Sequence, residues 1–196
     1  MQDQQCPEWI YEYRDSKSRY VLGIKGAHPL LCFGINPSTA KPNDLDNTVK
    51  SVERISKANG YDGWIMFNIY PQRSTDPNGL HGEIDAELHQ ENLRWLDIML
   101  TEYHAPDIWV AWGNLIEKRT YLAPCLFDVA AVIRQHGCRC FSAGKISVLG
   151  HPHHPLYLKK DQPLAPFDLD GYLLAFQRRL TEQTTRQSRG RKSIKR

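Results

Sequence analysis

The sequence predicts an α/β fold: three α/β/α layers around a central, mostly parallel four-stranded sheet, with an N-terminal β-hairpin beside it. Three observations carry that expectation. Short apolar runs recur along the 196 residues. Amphipathic stretches of helical period separate one run from the next. Turn and cap residues punctuate the joints, and strands alternating with helices imply crossovers over a parallel sheet.

The elements follow in order. Residues 9–13 and 20–24 are short alternating runs separated by polar residues 14–19, and they read as an antiparallel hairpin. Leu30-Leu31-Cys32-Phe33-Gly34-Ile35 is apolar throughout, as a strand buried on both faces should be. Residues 46–59 form a helix with Asp44 or Asp46 as N-cap and Gly60 as its stop. Trp64-Ile65-Met66-Phe67 is the second strand. Beyond a Pro/Gly-rich loop, residues 86–103 make a long amphipathic helix through Leu88, Leu93, Trp95, Leu96 and Leu100. Ile108-Trp109-Val110-Ala111-Trp112 is the third strand, and helical pieces cover 115–121 and 126–136. Ile146-Ser147-Val148-Leu149 is expected as the fourth strand, and a helix over 168–180 closes the body. Residues 1–180 thus form one domain.

Composition bounds the function. The chain is 41% hydrophobic and 24% charged, and no stretch approaches the roughly 20 apolar residues of a membrane span. The first residues carry neither a basic nor an apolar signal region, so a cytoplasmic protein without membrane partners is expected. Five cysteines, Cys6, Cys32, Cys125, Cys138 and Cys140, contain no Cys-x-x-Cys pair, which argues against a metal or a cluster. No cofactor is expected, and the oligomeric state is left open. Net charge is +3, but residues 178–196 hold eight Lys/Arg against one acid, a net of +7 that leaves −4 for the rest. Residues 181–196, with Arg189, Arg191 and Lys192, are therefore expected to be a basic, disordered tail able to hold phosphates. The acidic body is not itself a basic nucleic-acid platform.

In an open α/β sheet, ligands bind outside the carboxyl ends of the strands. The residues that follow the four runs are Asn36-Pro37-Ser38-Thr39, then Asn68 through Arg73, then Gly113-Asn114 behind Trp112, and finally Gly150 with His151-Pro152-His153-His154-Pro155-Leu156-Tyr157. An Asn side chain offers a donor and an acceptor, which suits the edge of a nucleobase. A nearby His can donate to an oxygen that gathers negative charge. No nucleophile elbow and no phosphate loop is present.

Several of these stretches resemble the uracil-DNA glycosylase superfamily. Gly34-Ile35-Asn36-Pro37 is similar to the Gly-Ile-Asn-Pro motif of mismatch-specific uracil and thymine DNA glycosylases. Asn68 resembles the Asn that reads the base edge, Val110-Ala111-Trp112-Gly113 the strand leading to a Trp-Gly pair, and Gly150-His151-Pro152 with Pro155-Leu156 the final His-Pro-Ser-Pro-Leu loop. A closer resemblance, over nearly the whole folded body, is to the domain-of-unknown-function family numbered 1643. It rests on Asn36-Pro37-Ser38-Thr39-Ala40, Asp46-Asn47-Thr48, the loop from Asn68 to Arg73, Trp112-Gly113 and His154-Pro155-Leu156-Tyr157.

The superfamily resemblance implies a DNA partner and hydrolysis of an N-glycosidic bond to a flipped uracil or modified pyrimidine. It implies that Asn36 orients water, that His154 or His151 donates to the departing base, and that Asn68, Ser38 and Trp112 hold the base. Leu156 would be the wedge in the vacated stack, with Tyr157, Arg73 and the tail cations on the DNA. His154 is preferred because it stands in the stretch shared with the closer family. Asn36 replaces the Asp of the fast uracil enzymes, which implies slow turnover. Ser38 stands where those enzymes carry a pocket-narrowing Tyr, which implies a roomier pocket. Three rival functions stay open: a base reader that does not cut, an enzyme of free nucleosides or nucleotides, and a metal-dependent hydrolase using His151, His153 and His154 with Asp44 or Asp46.

Overall fold

The computed structural model describes residues 7–193, and side chains through residue 185. Its core is a set of strands whose two faces are both apolar. β3 (Pro29–Gly34), β4 (Gly63–Asn68) and β5 (Ile108–Val110) are buried at every position. Alternate side chains feed two cores. Leu31, Phe33, Ile65, Phe67, Ile108 and Val110 face one cluster, while Leu30, Cys32, Trp64, Met66 and Trp109 face the other. Phe33 and Phe67 stack across the parallel pair, ring centroids 5.5 Å apart.

Helix α1 (Asn47–Ala58) covers one face through Val49, Val52 and Ile55. Helices α2 (Ala86–Glu102), α3 (Leu122–Gln135) and the first part of α4 (Leu169–Ser193), through Leu180, cover the other. α4 continues as helix to residue 193, past the end expected at residue 180 and into the stretch read as a disordered tail. Of the two caps offered for α1, the structure uses Asp46, and α2 has a cap of the same kind. Asp46 accepts from the Val49 amide at 2.8 Å, and Asp85 accepts from the Leu88 amide at 3.0 Å. Pro124 falls in the first turn of α3, where its missing N–H costs no helical bond.

The chain is α/β, but the sheet departs from the expectation in two ways. Among the described residues it has seven strands rather than four, in the order β1-β2-β4-β3-β5-β6-β7, and three of its six pairings are antiparallel rather than most being parallel. β1 (Trp9–Glu12) and β2 (Val21–Ile24) form the expected hairpin, and β2 extends the sheet antiparallel to β4. β7 (Leu164–Pro166) adds an antiparallel strand at the far side. The strand expected at 146–149 is instead a turn, closed by Gly150 N–H to the Ser147 carbonyl at 2.8 Å. Its place is taken by β6 (Cys140–Ala143), parallel to β5 through Ile108↔Cys140 and Trp109↔Phe141. The physical reason is exposure: Ile146, Val148 and Leu149 lie on the surface, whereas Ser142 and Ala143 are buried.

One topological consequence positions the site. From β3 the chain crosses through α1 to β4 on one side, then returns through α2 to β5 on the other side of β3. The direction of winding reverses between β3 and β5, and the crevice of such a sheet opens at the carboxyl ends flanking that point.

Candidate functional site

A cavity of ≈ 630 Å³ opens at that edge, within the range of small-molecule sites. Its wall is built by the loops after β3, β4 and β5, the start of α1 and the 147–157 loop. Asn36, Ser38, Asn68, Trp112, His154, Leu156 and Tyr157 all line it, so seven of the sequence-designated residues converge there.

Asn68 ends β4, and its side chain is completely buried. Neither its Nδ2 nor its Oδ1 has a protein partner, although its carbonyl accepts from Asn92 Nδ2 at 3.0 Å. Buried amides normally find partners, and among the described residues neither pole of this one does, which leaves a donor and an acceptor open at the cavity wall. Gly34 makes room beside it. A Cβ there would come within 2.7 Å of Met66 Cε and 3.0 Å of Asn68 Oδ1. Asn36 is half-buried and donates through Nδ2 to the Pro37 and Ser74 carbonyls, at 3.1 and 2.9 Å. Those bonds fix its orientation, and no donor among the described residues reaches its Oδ1.

His154 caps a short 3₁₀ turn at Pro155–Tyr157, its Nδ1 accepting from the Leu156 amide at 3.4 Å. Burial pushes its pKa down to about 4, against a smaller upward pull from the Asp46 carboxylate. The ring is therefore neutral at physiological pH, and with Nδ1 accepting, the proton sits on Nε2. That leaves an uncharged N–H donor. Opposite it Gly113 adopts φ +63 while its N–H reaches the Pro152 carbonyl at 2.9 Å, which brings the two loops together. Leu156 and Tyr157 stand exposed at the mouth, Tyr157 at 77%.

His151 is placed elsewhere. It is fully buried, and both ring nitrogens are engaged: Nδ1 with Tyr172 Oη and Nε2 with Glu117 Oε1, each at 2.7 Å. Arg179 Nη2 reaches the same Glu117 oxygen at 2.5 Å. Trp112 Nε1 donates to Tyr172 Oη at 2.9 Å, so this cluster braces one cavity wall from behind. Burial lowers the His151 pKa, with the Glu117 hydrogen bond opposing. Arg73 does not line the cavity but clamps its 38–40 loop, donating to the Ser38 carbonyl at 2.6 Å, the Ala40 carbonyl at 3.3 Å and Tyr11 Oη at 2.8 Å. The side chains of Arg189, Arg191 and Lys192 lie outside the described residues.

Arg19 also lines the cavity, and sequence reasoning missed it because it stands in a polar stretch between hairpin strands. Asp46, Thr48, His153 and Asn114 join the wall from positions read as the start of the first helix or as loop. Among the described residues no group of three or more His, Cys, Asp or Glu side chains could hold a metal ion. Burial drives the Cys125 and Cys140 thiols up to about 12 and Cys138 to about 11, which keeps all three protonated. No described helix is long and apolar enough to cross a membrane.

Comparison with known proteins gives one family. The model of a protein family of unknown function, DUF1643, matches residues 19–156, and the chain belongs to that family. No curated protein and no solved structure matches the chain. The matched span contains the strands β3, β4 and β5, together with Asn36, Asn68, Trp112 and His154.

Proposed function

We propose that this member of the DUF1643 family captures a nucleobase in the cavity and hydrolyses its N-glycosidic bond, acting on a uracil or modified pyrimidine flipped out of DNA. The observation that carries the reading is Asn68, a fully buried amide with both poles unpaired in the cavity wall. A carboxamide presents the donor–acceptor pair that complements the amide edge of a pyrimidine. The resemblance of Gly34-Ile35-Asn36-Pro37 and the His-Pro loop to uracil-DNA glycosylases supports the same reading, as does the crevice position at the strand reversal.

Breaking the bond pushes negative charge onto the departing base and positive charge onto the sugar. The His154 Nε2–H donates to the base oxygen that takes up the charge, and a neutral donor suffices for this electrostatic role. The free Oδ1 of Asn36 holds the attacking water by accepting a hydrogen bond from it. As the water oxygen bonds to C1′ and the C1′–N bond breaks, the proton the water sheds ends on the departed base. Because Asn36 is not a carboxylate, it orients water without deprotonating it, so turnover is slow. Leu156 and Tyr157, exposed at the mouth, fill the stack that the base leaves. Slow chemistry also favours a second reading, a base reader that captures without cutting, because the Asn36 amide nitrogen is already committed to two loop carbonyls.

The test is alkaline cleavage of labelled oligonucleotides carrying uracil, a G·T mismatch, hydroxymethyl or glucosylated pyrimidines, or deaminated purines. Strand breaks that disappear in Asn68→Ala, His154→Ala and Asn36→Ala establish the glycosylase and name its base. Retained binding without breaks establishes the reader. Neither breaks nor binding on any oligonucleotide overturns both.

A further inference from the structure

We infer that the cavity binds an oxyanion, a carboxylate or phosphate, on the Arg19 guanidinium, so that its ligand is an anionic nucleobase or nucleotide. The anion's identity as part of a nucleobase rests on the function proposed above; the anion subsite itself does not.

Arg19 lies two residues before β2, and its amide donates to the Pro71 carbonyl at 3.0 Å. Its side chain is only 1% exposed yet lines the cavity. Five N–H donors converge there, and one protein acceptor meets them: Nη1 reaches the Ala40 carbonyl at 2.9 Å. Nε is buried with no partner. Among the described residues no carboxylate stands within ion-pair distance of Arg19 or of Arg73. Both guanidiniums instead converge on the same Ala40 carbonyl, Arg73 at 3.3 Å. Two cations thus share one neutral acceptor.

Buried cations are ordinarily paired, because desolvation penalises the charge. Here desolvation, and next the charge of Arg73, pull the Arg19 pKa down to about 10 against smaller upward pulls from Asp46 and Tyr11, so it remains a cation at neutral pH. Asp46 is the one carboxylate in the cavity wall, and its Oδ1 is engaged as the cap of α1. A loop clamp does not account for the arrangement, since Arg73 already holds both Ser38 and Ala40. What is missing is an acceptor with two oxygens and negative charge, which matches the planar fork of a guanidinium. Asn68 lines the same cavity, so one ligand can present an amide edge to Asn68 and an oxyanion to Arg19. His154, being neutral, offers no competing charge.

The experiment is calorimetric titration of the full chain at neutral pH with two matched pairs: uracil against 5-carboxyuracil, and 2′-deoxyuridine against its 5′-monophosphate. Wild type, Arg19→Lys and Arg19→Met are compared, with thermal melts in phosphate and in chloride at equal ionic strength. In wild type the anionic member of one pair binds about tenfold tighter or more than its neutral partner. The advantage shrinks in Arg19→Lys and vanishes in Arg19→Met. A gain confined to 5-carboxyuracil places the anion on the base, and a gain confined to the monophosphate places it on the sugar. Equal binding within both pairs in wild type overturns the inference without recourse to a variant. Should uracil bind through Asn68 with no anionic preference, the anion subsite fails while the nucleobase reading survives. Phosphate protection that Arg19→Met abolishes, with none of the four compounds bound, upholds the anion subsite and overturns the nucleobase reading. No binding and no phosphate protection overturn both.

Discussion

His151 and His154 lie three residues apart in one loop, and the two polar regions they enter are opposites. Around His151 both ring nitrogens are partnered by the protein, and Glu117, Tyr172, Trp112 and Arg179 link into a chain of hydrogen bonds that leaves the Nε of Arg179 unpaired. In the cavity wall that receives His154, polar atoms are fixed but left open, including both poles of Asn68 and the Nε of Arg19. A satisfied network rigidifies a fold, whereas an unsatisfied one at the same depth costs stability until something fills it. The first region is a brace and the second is the proposed receptor. The pairing of Trp112 with Tyr172 is where brace meets receptor.

The largest effects should fall on opposite properties in the two regions. Asn68→Ala removes two unpaired buried atoms, so melting temperature is expected to hold or rise while ligand affinity or turnover falls about a hundredfold. His151→Ala leaves Glu117 and Tyr172 without a shared partner and is expected to cost about 2–4 kcal/mol, a drop in Tm of roughly 5–15 °C. Thermal melts beside titrations of both variants settle the comparison. If Asn68→Ala unfolds the chain, or His151→Ala leaves it as stable as wild type, the division into brace and receptor is broken.

Much of this division could be read from the chain, and the reasons for the remainder are physical. Asn36, Asn68 and Trp112 were legible because each ends or directly follows an apolar run that is a strand, and topology sends such residues to one edge. The His-Pro loop was reached through residues 146–149, which are a surface turn and not the strand expected there. The cap of α1 was legible locally as Asp44 or Asp46, of which the structure uses Asp46. Strand β6 was not, since Cys140 and Phe141 are only half-buried while the more apolar 146–149 segment is a surface turn at the rim. Arg19 was hidden because a hairpin's polar connection is normally solvated, and only pairing of β2 with β4 draws it inward. The split between His151 and His154 depended on Glu117 and Tyr172, residues 34 and 21 positions away.

Acid should separate the regions next. An unfolded His154 titrates near 6.5, whereas the folded ring resists protonation until about pH 4. Between those values the unfolded chain binds more protons, so stability is full above pH 6.5 and is lost as pH falls toward 4. His151, also lowered, contributes with the same sign. The expected loss attributable to His154 is on the order of 1–3 kcal/mol, and His154→Gln should flatten that part of a stability–pH curve. Ligand binding should meanwhile stay level from pH 6 to 8, because the donor does not change charge there. A midpoint near 6.5 in the binding profile would mean that His154 is solvated and that the receptor is wetter than its geometry implies.

The smallest effect isolates the receptor's electrostatics from its architecture. Asp46 and Asp85 make equivalent N-cap bonds, at 2.8 and 3.0 Å, but only Asp46 lines the cavity. Replacing either by Ala should cost about 1 kcal/mol, read as a fall in Tm of about 2–4 °C. Asp85→Ala should leave binding unchanged. Asp46→Ala should strengthen an anionic ligand a few-fold, because it removes the one carboxylate that opposes Arg19's partner, and it should lower the His154 pKa further by removing the pull that raises it. Equal binding in the two variants would mean that Asp46 acts on α1 alone, and that the field inside the cavity is set by Arg19 without a counterweight.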